Sequence, residues 1–283
     1  MRRMWAGRRV IVTGGTAGFG LVLAREFARQ GARVLIVGRS GESVRRGIEA
    51  CATQGCDVRG IAADLEQPGE GGRVVGECLR LFDGLDDLVC CVGRSGRGRI
   101  LEATAADLRA FLDANLFSAV EITRAAADDV AAARGHVVYI GSLAGKLVVP
   151  YLGPYSVAKS ALAAYADAVR LELAPRGGHV LLVSPGPIRR LADDPAADRA
   201  TGRYDADVRS AGLPAEAAAA GGSSRLRRLD PERLARQVLD ACRRRRCELV
   251  VPWSAGVLAG LIEWFPHLGR RLLDRAASRR RES

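Results

Sequence analysis

Tyr155 and Lys159 stand four residues apart in "PYSVAKSALAAYADAVRLEL", a stretch with helical spacing, so both side chains leave one face about a turn apart. A free tyrosine has a pKa of about 10, too high for easy proton exchange at neutral pH. A neighbouring ammonium favours the phenolate and brings that value down. Taken alone, Tyr-x-x-x-Lys also fits an ordinary surface pair. Two further residues add to it. Ser142, in "YIGSLAG", lies just past an expected strand, where a doubly wound sheet places its ligands. Asn115, in "LDANLFSAVEIT", is expected mid-helix, a place where asparagine gains little unless its side chain has a task. A hydroxyl, a phenol, an ammonium and an amide can together relay protons.

The partner chemistry is at the other end of the chain. "VIVTGGTAGFG" leaves an apolar run and opens a helical one. Gly14 permits a tight turn, Gly18 lets the backbone approach a pyrophosphate, and Gly20 lets helix and strand sit close. The helix N-terminus then presents free N–H groups to an anion; a merely structural turn is the alternative. The second apolar run ends "VLIVGRS", with Gly38 and Arg39 where a carboxylate would hold a ribose hydroxyl. One guanidinium suits a 2′-phosphate, so NADP is favoured over NAD, unless Arg39 is simply a solvated helix-start residue. Asp64 is either an acceptor for the adenine end or a turn residue.

These groups need a scaffold. Strand-length apolar runs recur at Arg9–Thr13, Arg33–Val37, Val58–Ala62, Asp87–Val92, His136–Ile140, His179–Val183 and Glu248–Val251, separated by helical spacing. That alternation predicts a parallel sheet covered on both faces. Leu21, Leu23, Ala24, Phe27 and Ala28 mark the first helix, which Gly31 stops. Asp230 and Pro231 mark a helix start running to Arg244. Between Pro185 and Leu229, prolines, Gly221, Gly222 and an alanine run read as a long mobile excursion, a lid over the substrate.

The length of 283 residues and 48% hydrophobic content suit one α/β domain as well as two small ones. The formal charge of +11 is nearly all arginine, since Lys146 and Lys159 are the only lysines. "RRLLDRAASRRRES" concentrates Arg270, Arg271, Arg275, Arg279, Arg280 and Arg281, read as a solvated tail, with anionic lipid or nucleic acid as the rival. "LVVPWSAGVLAGLIEWF" is interrupted by Pro252 and Glu263 and is too short to span a bilayer. An amphipathic helix from near Ser254, carrying Val257, Leu258, Leu261, Ile262, Trp264 and Phe265, fits better; it packs on the core or a dimer partner, or touches a membrane. Seven cysteines without C-x-x-C, and three histidines, argue against structural zinc; the start lacks a signal-peptide core, so a reducing cytoplasmic home is expected.

From Arg8 to about Pro252 the sequence resembles a short-chain dehydrogenase/reductase. T-G-x-x-x-G-x-G fits "TGGTAGFG", with Ala17 where the longer epimerase branch has glycine, and Tyr155 and Lys159 supply Y-x-x-x-K. The resemblance implies one Rossmann-like domain, residues 1–253, with a seven-stranded parallel sheet in the order 3-2-1-4-5-6-7 and a lid at about 185–229; residues 254–283 form the C-terminal helix and tail. It makes Tyr155 the general acid toward a carbonyl, Ser142 the residue that orients the carbonyl oxygen, Lys159 the ribose ligand that tunes Tyr155, and Asn115 the support of a water chain. "SPGPI" would hold the nicotinamide carboxamide through Pro185, Gly186 and Ile188. Thr16, Phe19, Leu65, Cys90 and Gly93 complete the implied cofactor set. "CCVG" occupies the place of the family's Asn-Asn-Ala-Gly, so Cys90 and Cys91 are read as small side chains beside the cofactor. Arg190 stands where threonine is common.

The reading is an NADP-dependent ketoreductase, interconverting a ketone and a secondary alcohol of lipophilic character, gripped by Leu143–Pro154 and the lid. A homodimer or homotetramer through the helices of Asn115 and Tyr155 is implied; nucleic acid is not expected. The rival from another class is a dinucleotide-binding sensor or scaffold with lost catalysis.

Overall fold

A computed structural model describes residues 4–196, 204–218 and 227–278. Its strands are β1 (Arg9–Thr13), β2 (Arg33–Gly38), β3 (Val58–Ala62), β4 (Asp87–Cys90), β5 (His136–Ile140), β6 (His179–Pro185) and β7 (Glu248–Val251). They form one seven-stranded sheet in the order β3-β2-β1-β4-β5-β6-β7, and every pairing is parallel. The helices are α1 (Gly18–Arg29), α2 (Gly41–Ala52), α3 (Glu70–Phe82), α4 (Ala105–Leu112), α5 (Ser118–Ala132), α6 (Gly153–Leu173), α7 (Asp205–Ser210), α8 (Pro231–Arg243), α9 (Trp253–Trp264) and α10 (Pro266–Ser278).

Side-chain alternation along the strands divides the core in two. Val10, Val12, Val34, Ile36, Val138 and Val183 point into one layer, which α1 fills with Leu23 and Phe27 and α8 with Val238 and Cys242. Ile11, Leu35, Leu88, Val137, Tyr139 and Leu182 point into the other, against Val74 and Cys78 of α3, Ile122 of α5 and Leu162 of α6. A strand buried on both faces has no polar register, which is why these runs read as continuous apolar segments. Each fully buried residue such as Phe27 contributes about 2–3 kcal/mol of transfer free energy.

Three strand ends differ from the sequence expectation, the smallest being β2, which runs one residue further to Gly38. β4 stops at Cys90 rather than Val92, because its pairings with β1 and β5 both end there, opposite Thr13 and Tyr139. β6 continues to Pro185, held by β7 through the Pro185–Val251 pair. Helix α8 starts as expected, with the Asp230 carboxylate accepting the Arg233 N–H at 2.8 Å.

The largest departure is at the C-terminus. The single helix expected from Ser254 through Phe265 ends at Trp264, and Pro266 begins a second one over much of the stretch read as a solvated tail. Proline can open a helix but forces the preceding residue out of the helical region, and Phe265 has φ −133° and ψ 72°. Gly269 lets α10 fold back on α9, since a Cβ there would lie 2.7 Å from the Ile262 Cα. The turn at Phe265–Pro266 thus makes a helical hairpin. Arg279, Arg280 and Arg281 lie outside the described residues.

The excursion after β6 is closed at its base. Leu229 N–H donates to Pro187 O at 2.7 Å and Arg189 N–H to Leu229 O at 2.9 Å. Its described middle docks on the loop after β4: Arg97 stacks 3.6 Å from the Tyr204 ring centroid, its Nε donates to Ala217 O at 2.7 Å, and its N–H donates to Asp207 at 3.0 Å. Gly221 and Gly222 lie outside the described residues.

At the opposite end of the sheet, His136 and His179 meet through their Nδ1 atoms at 2.8 Å. His179 Nε2 faces Arg246 O at 2.9 Å. The carbonyl requires a proton on that nitrogen, which makes His179 Nδ1 the acceptor and His136 Nδ1 the donor. Burial, with His179 and Arg8 nearby, pulls His136 down to about 3. The unfolded chain therefore binds the extra proton as pH falls from about 6.5 toward 3, and stability drops across that window. Burial pushes the neighbouring Asp87 up to about 6, which acts in the opposite sense over the upper part of the window. His136→Gln is expected to flatten the acid limb of a denaturation series; an unchanged slope would clear the pair of any part in it.

Candidate active site

The crossovers of β1 and β4 run in opposite directions along the sheet, leaving a crevice at their carboxyl ends. A cleft of about 1360 Å³ fills it and extends to α9 and α10. Loops after β1, β2, β3, β4, β5 and β6 all reach it.

The glycine turn after β1 forms one end. Gly14 has φ +64°, and a Cβ there would meet Cys91 O at 3.0 Å, so the turn lies directly on the loop after β4. Gly18 has φ +58° with open space where a side chain would stand. A Cβ on Gly20 would lie 2.2 Å from Gly14 O, so only glycine permits this approach of α1 to its own turn. Thr16 and Phe19 also line the cleft, with Gly38 packed against Thr16, and Arg39, Asp64 and Leu65 follow at the same end. The Asp64 carboxylate accepts the Glu66 N–H at 3.2 Å, its turn role. Arg39 is exposed, and Arg46 joins it on the wall.

Helix α1 has no cap of its own, because Ala17 precedes it. The cap comes from the far side of the sequence: buried Asp194 accepts the Gly18 N–H at 3.1 Å and pairs with Arg190 at 2.9 Å. Arg190, through Asp194, thus fastens the start of the excursion to the glycine turn.

The other end holds the polar quartet, all lining the cleft. Asn115 lies in a π-helical turn, Asp113–Phe117, between α4 and α5. Its Nδ2 donates to Phe111 O and Arg94 O, both at 2.9 Å, so the side chain both widens the helix and pins the loop after β4. Its buried Oδ1 accepts no hydrogen bond from the described residues. That oxygen and Lys159 Nζ border Gly93, whose added Cβ would meet them at 2.6 and 3.3 Å. Lys159 donates to Ile140 O at 3.0 Å and sits 5.9 Å from the Tyr155 ring centroid. Burial lowers Lys159 to about 8, which leaves it mostly ammonium at neutral pH. Ser142 lies two residues beyond β5, with its Oγ accepting Ala144 N–H at 3.1 Å. Pro185, Gly186 and Ile188 close the wall beside them.

Cys90 is the exception among the expected residues. It points into the α3–α5 layer, and Cys91 lines the cleft instead, because strand alternation sends neighbouring side chains to opposite sides. Burial pushes both thiols up to about 12, so both are protonated at neutral pH. Thr13 takes over some steadying of this loop: its Oγ1 accepts the Cys91 N–H at 3.1 Å and donates to Val89 O at 3.3 Å.

Apolar groups line the remaining space: Leu143, Leu147, Val149, Leu152, Leu258 and Leu273. The last two, from α9 and α10, escape sequence reasoning, as do Ser95 and Tyr204, whose hydroxyls lie 2.8 Å apart. No local spacing signals such contacts.

The open side-chain space at Gly18, whose N–H Asp194 caps, the glycine-lined approach at Gly93 and the unfilled Asn115 Oδ1 fit a nicotinamide dinucleotide laid along the cleft, pyrophosphate over the glycine turn. A family model described as short chain dehydrogenase matches residues 8–197. Dehydrogenase/reductase SDR family member 7B of Xenopus tropicalis is 30% identical over 257 residues, 88% of this chain and 79% of that protein. Its Danio rerio namesake is 31% identical over 187 residues, 64% of this chain, and the match spans only 60% of that relative's length. Granaticin polyketide synthase putative ketoacyl reductase 1 of Streptomyces violaceoruber is 32% identical over 197 residues, 69% of this chain and 71% of that protein.

Proposed function

The chain belongs to the short chain dehydrogenase family, and from that premise we propose that it is an NADP-dependent oxidoreductase interconverting a lipophilic ketone and its secondary alcohol. One observation carries the reading: a buried lysine beside Tyr155, with Asn115 and Ser142, at the strand ends that also hold the glycine turn. The ketoacyl reductase likeness supports the ketone-to-alcohol sense.

When bound, the reduced cofactor supplies a hydride. The chain's own residues manage the proton and the charge. Ser142 and Tyr155 hydroxyls bind the carbonyl oxygen and fix its orientation, and Tyr155 passes its proton to that oxygen as negative charge develops. The Lys159 ammonium, held by Ile140 O, stabilises the phenolate left behind. Asn115 Oδ1, beside Lys159, offers an acceptor through which the proton is replenished from solvent. The glycine turn binds the diphosphate, Arg39 the 2′-phosphate, and Pro185 to Ile188 the nicotinamide end.

The apolar wall supports a substrate recognised by burial of hydrocarbon. NADPH consumption measured against alkyl and cyclic ketones of rising hydrophobicity tests this. Rates should climb along the series; tight NADPH binding with no turnover of any member would leave a sensor or scaffold in place of an enzyme.

A further inference from the structure

The α9–α10 hairpin has two faces with different neighbours. Toward the protein, Ala255 and Ala259 pack with Leu143 and Leu147, and Leu258 and Leu273 join them at the substrate end of the cleft. Away from it stands an uncovered apolar ridge: Trp253 is 77% exposed, Val257 61%, Trp264 82% and Phe265 61%, continued on α10 by Leu268 and Leu272. Large aromatic groups at that exposure cost solvation free energy unless something covers them.

We propose that this ridge docks on an anionic bilayer surface. Among the described residues no helix is long and apolar enough to cross a membrane, so the hairpin lies on the surface. The charge selects the occupant. Arg270 and Arg271 are exposed within the turns that carry Leu268 and Leu272, the sequence adds Arg279, Arg280 and Arg281, and the chain carries +11. A second copy meeting the same face by two-fold symmetry would set these arginines against their own images. Anionic headgroups meet arginines favourably while indole and phenyl rings settle at the interface. Docking there would put the apolar mouth of the cleft next to the acyl region, so a lipophilic substrate enters without crossing water. That delivery role rests on the proposed function, whereas docking itself requires no turnover.

The experiment is co-sedimentation of the full chain with phosphatidylcholine vesicles, with and without phosphatidylglycerol, read together with tryptophan emission. Of the three tryptophans, Trp5 is 4% exposed, so a blue shift reports Trp253 and Trp264. Pelleting and a blue shift are expected with phosphatidylglycerol vesicles only, reversed by salt. Arg270→Gln and Arg271→Gln are each expected to weaken partitioning about fivefold. Trp264→Ser with Phe265→Ser should weaken it by about tenfold or more, with the melting temperature unchanged because both side chains are exposed. Absence of any vesicle binding overturns the proposal. So does binding indifferent to these substitutions, or a double variant that shrinks the oligomer in ultracentrifugation while vesicle binding persists, which would assign the ridge to a second copy.

Discussion

Tyr155→Phe is expected to lower turnover of a ketone by about two to four orders of magnitude while leaving dinucleotide affinity close to that of the wild type. The substitution keeps the ring that packs near Lys159 and removes only the transferable proton. Lys159 donates to Ile140 O, which keeps its ammonium in place. Asn115 is likewise pinned by Phe111 and Arg94. The loss should therefore fall on kcat with little change in KM, the pattern of an interaction made in the transition state. Near-normal turnover would mean that another group, or water, protonates the product oxygen, and the role given to Tyr155 would fail.

The second large effect concerns cofactor choice. Arg39 leaves the end of β2, where Gly38 offers no carboxylate and packs against Thr16. A charge-assisted hydrogen bond contributes about 1.5–3 kcal/mol, so Arg39→Asp should weaken NADPH about 10- to 100-fold. The new carboxylate can accept from a ribose hydroxyl, so NADH should hold or gain affinity. Titration of both cofactors into wild type and variant measures the ratio directly. A ratio that does not move would remove Arg39 from specificity and direct attention to Arg46 on the same wall.

Glycine spacing, the Tyr155–Lys159 step and seven apolar runs were all legible in the sequence because each is local. A tight turn needs Gly14, a helix face needs four-residue spacing, and a doubly covered strand needs an unbroken apolar run. The sheet order, and with it the meeting of the glycine turn with Ser142, Tyr155 and Lys159, came instead from the family resemblance these motifs carry, because right-handed crossovers alone leave several orders open to seven parallel strands. The asparagine of the quartet was visible as a residue out of place, although its π-helical turn was not, because a single inserted residue leaves the apolar period nearly intact.

Tertiary structure decided the rest. Asp194 caps α1 across 176 residues of sequence, Arg97 anchors the excursion after β6 through Tyr204, Cys91 rather than Cys90 faces the cleft, and α10 folds back on α9 where Gly269 makes room. Each depends on which distant surface a side chain meets. Short-range periodicity carries the shape of an element and the face it buries, but a capping carboxylate or a roofing leucine has no partner until the sheet has brought remote segments together, and so it leaves no mark in the order of residues around it.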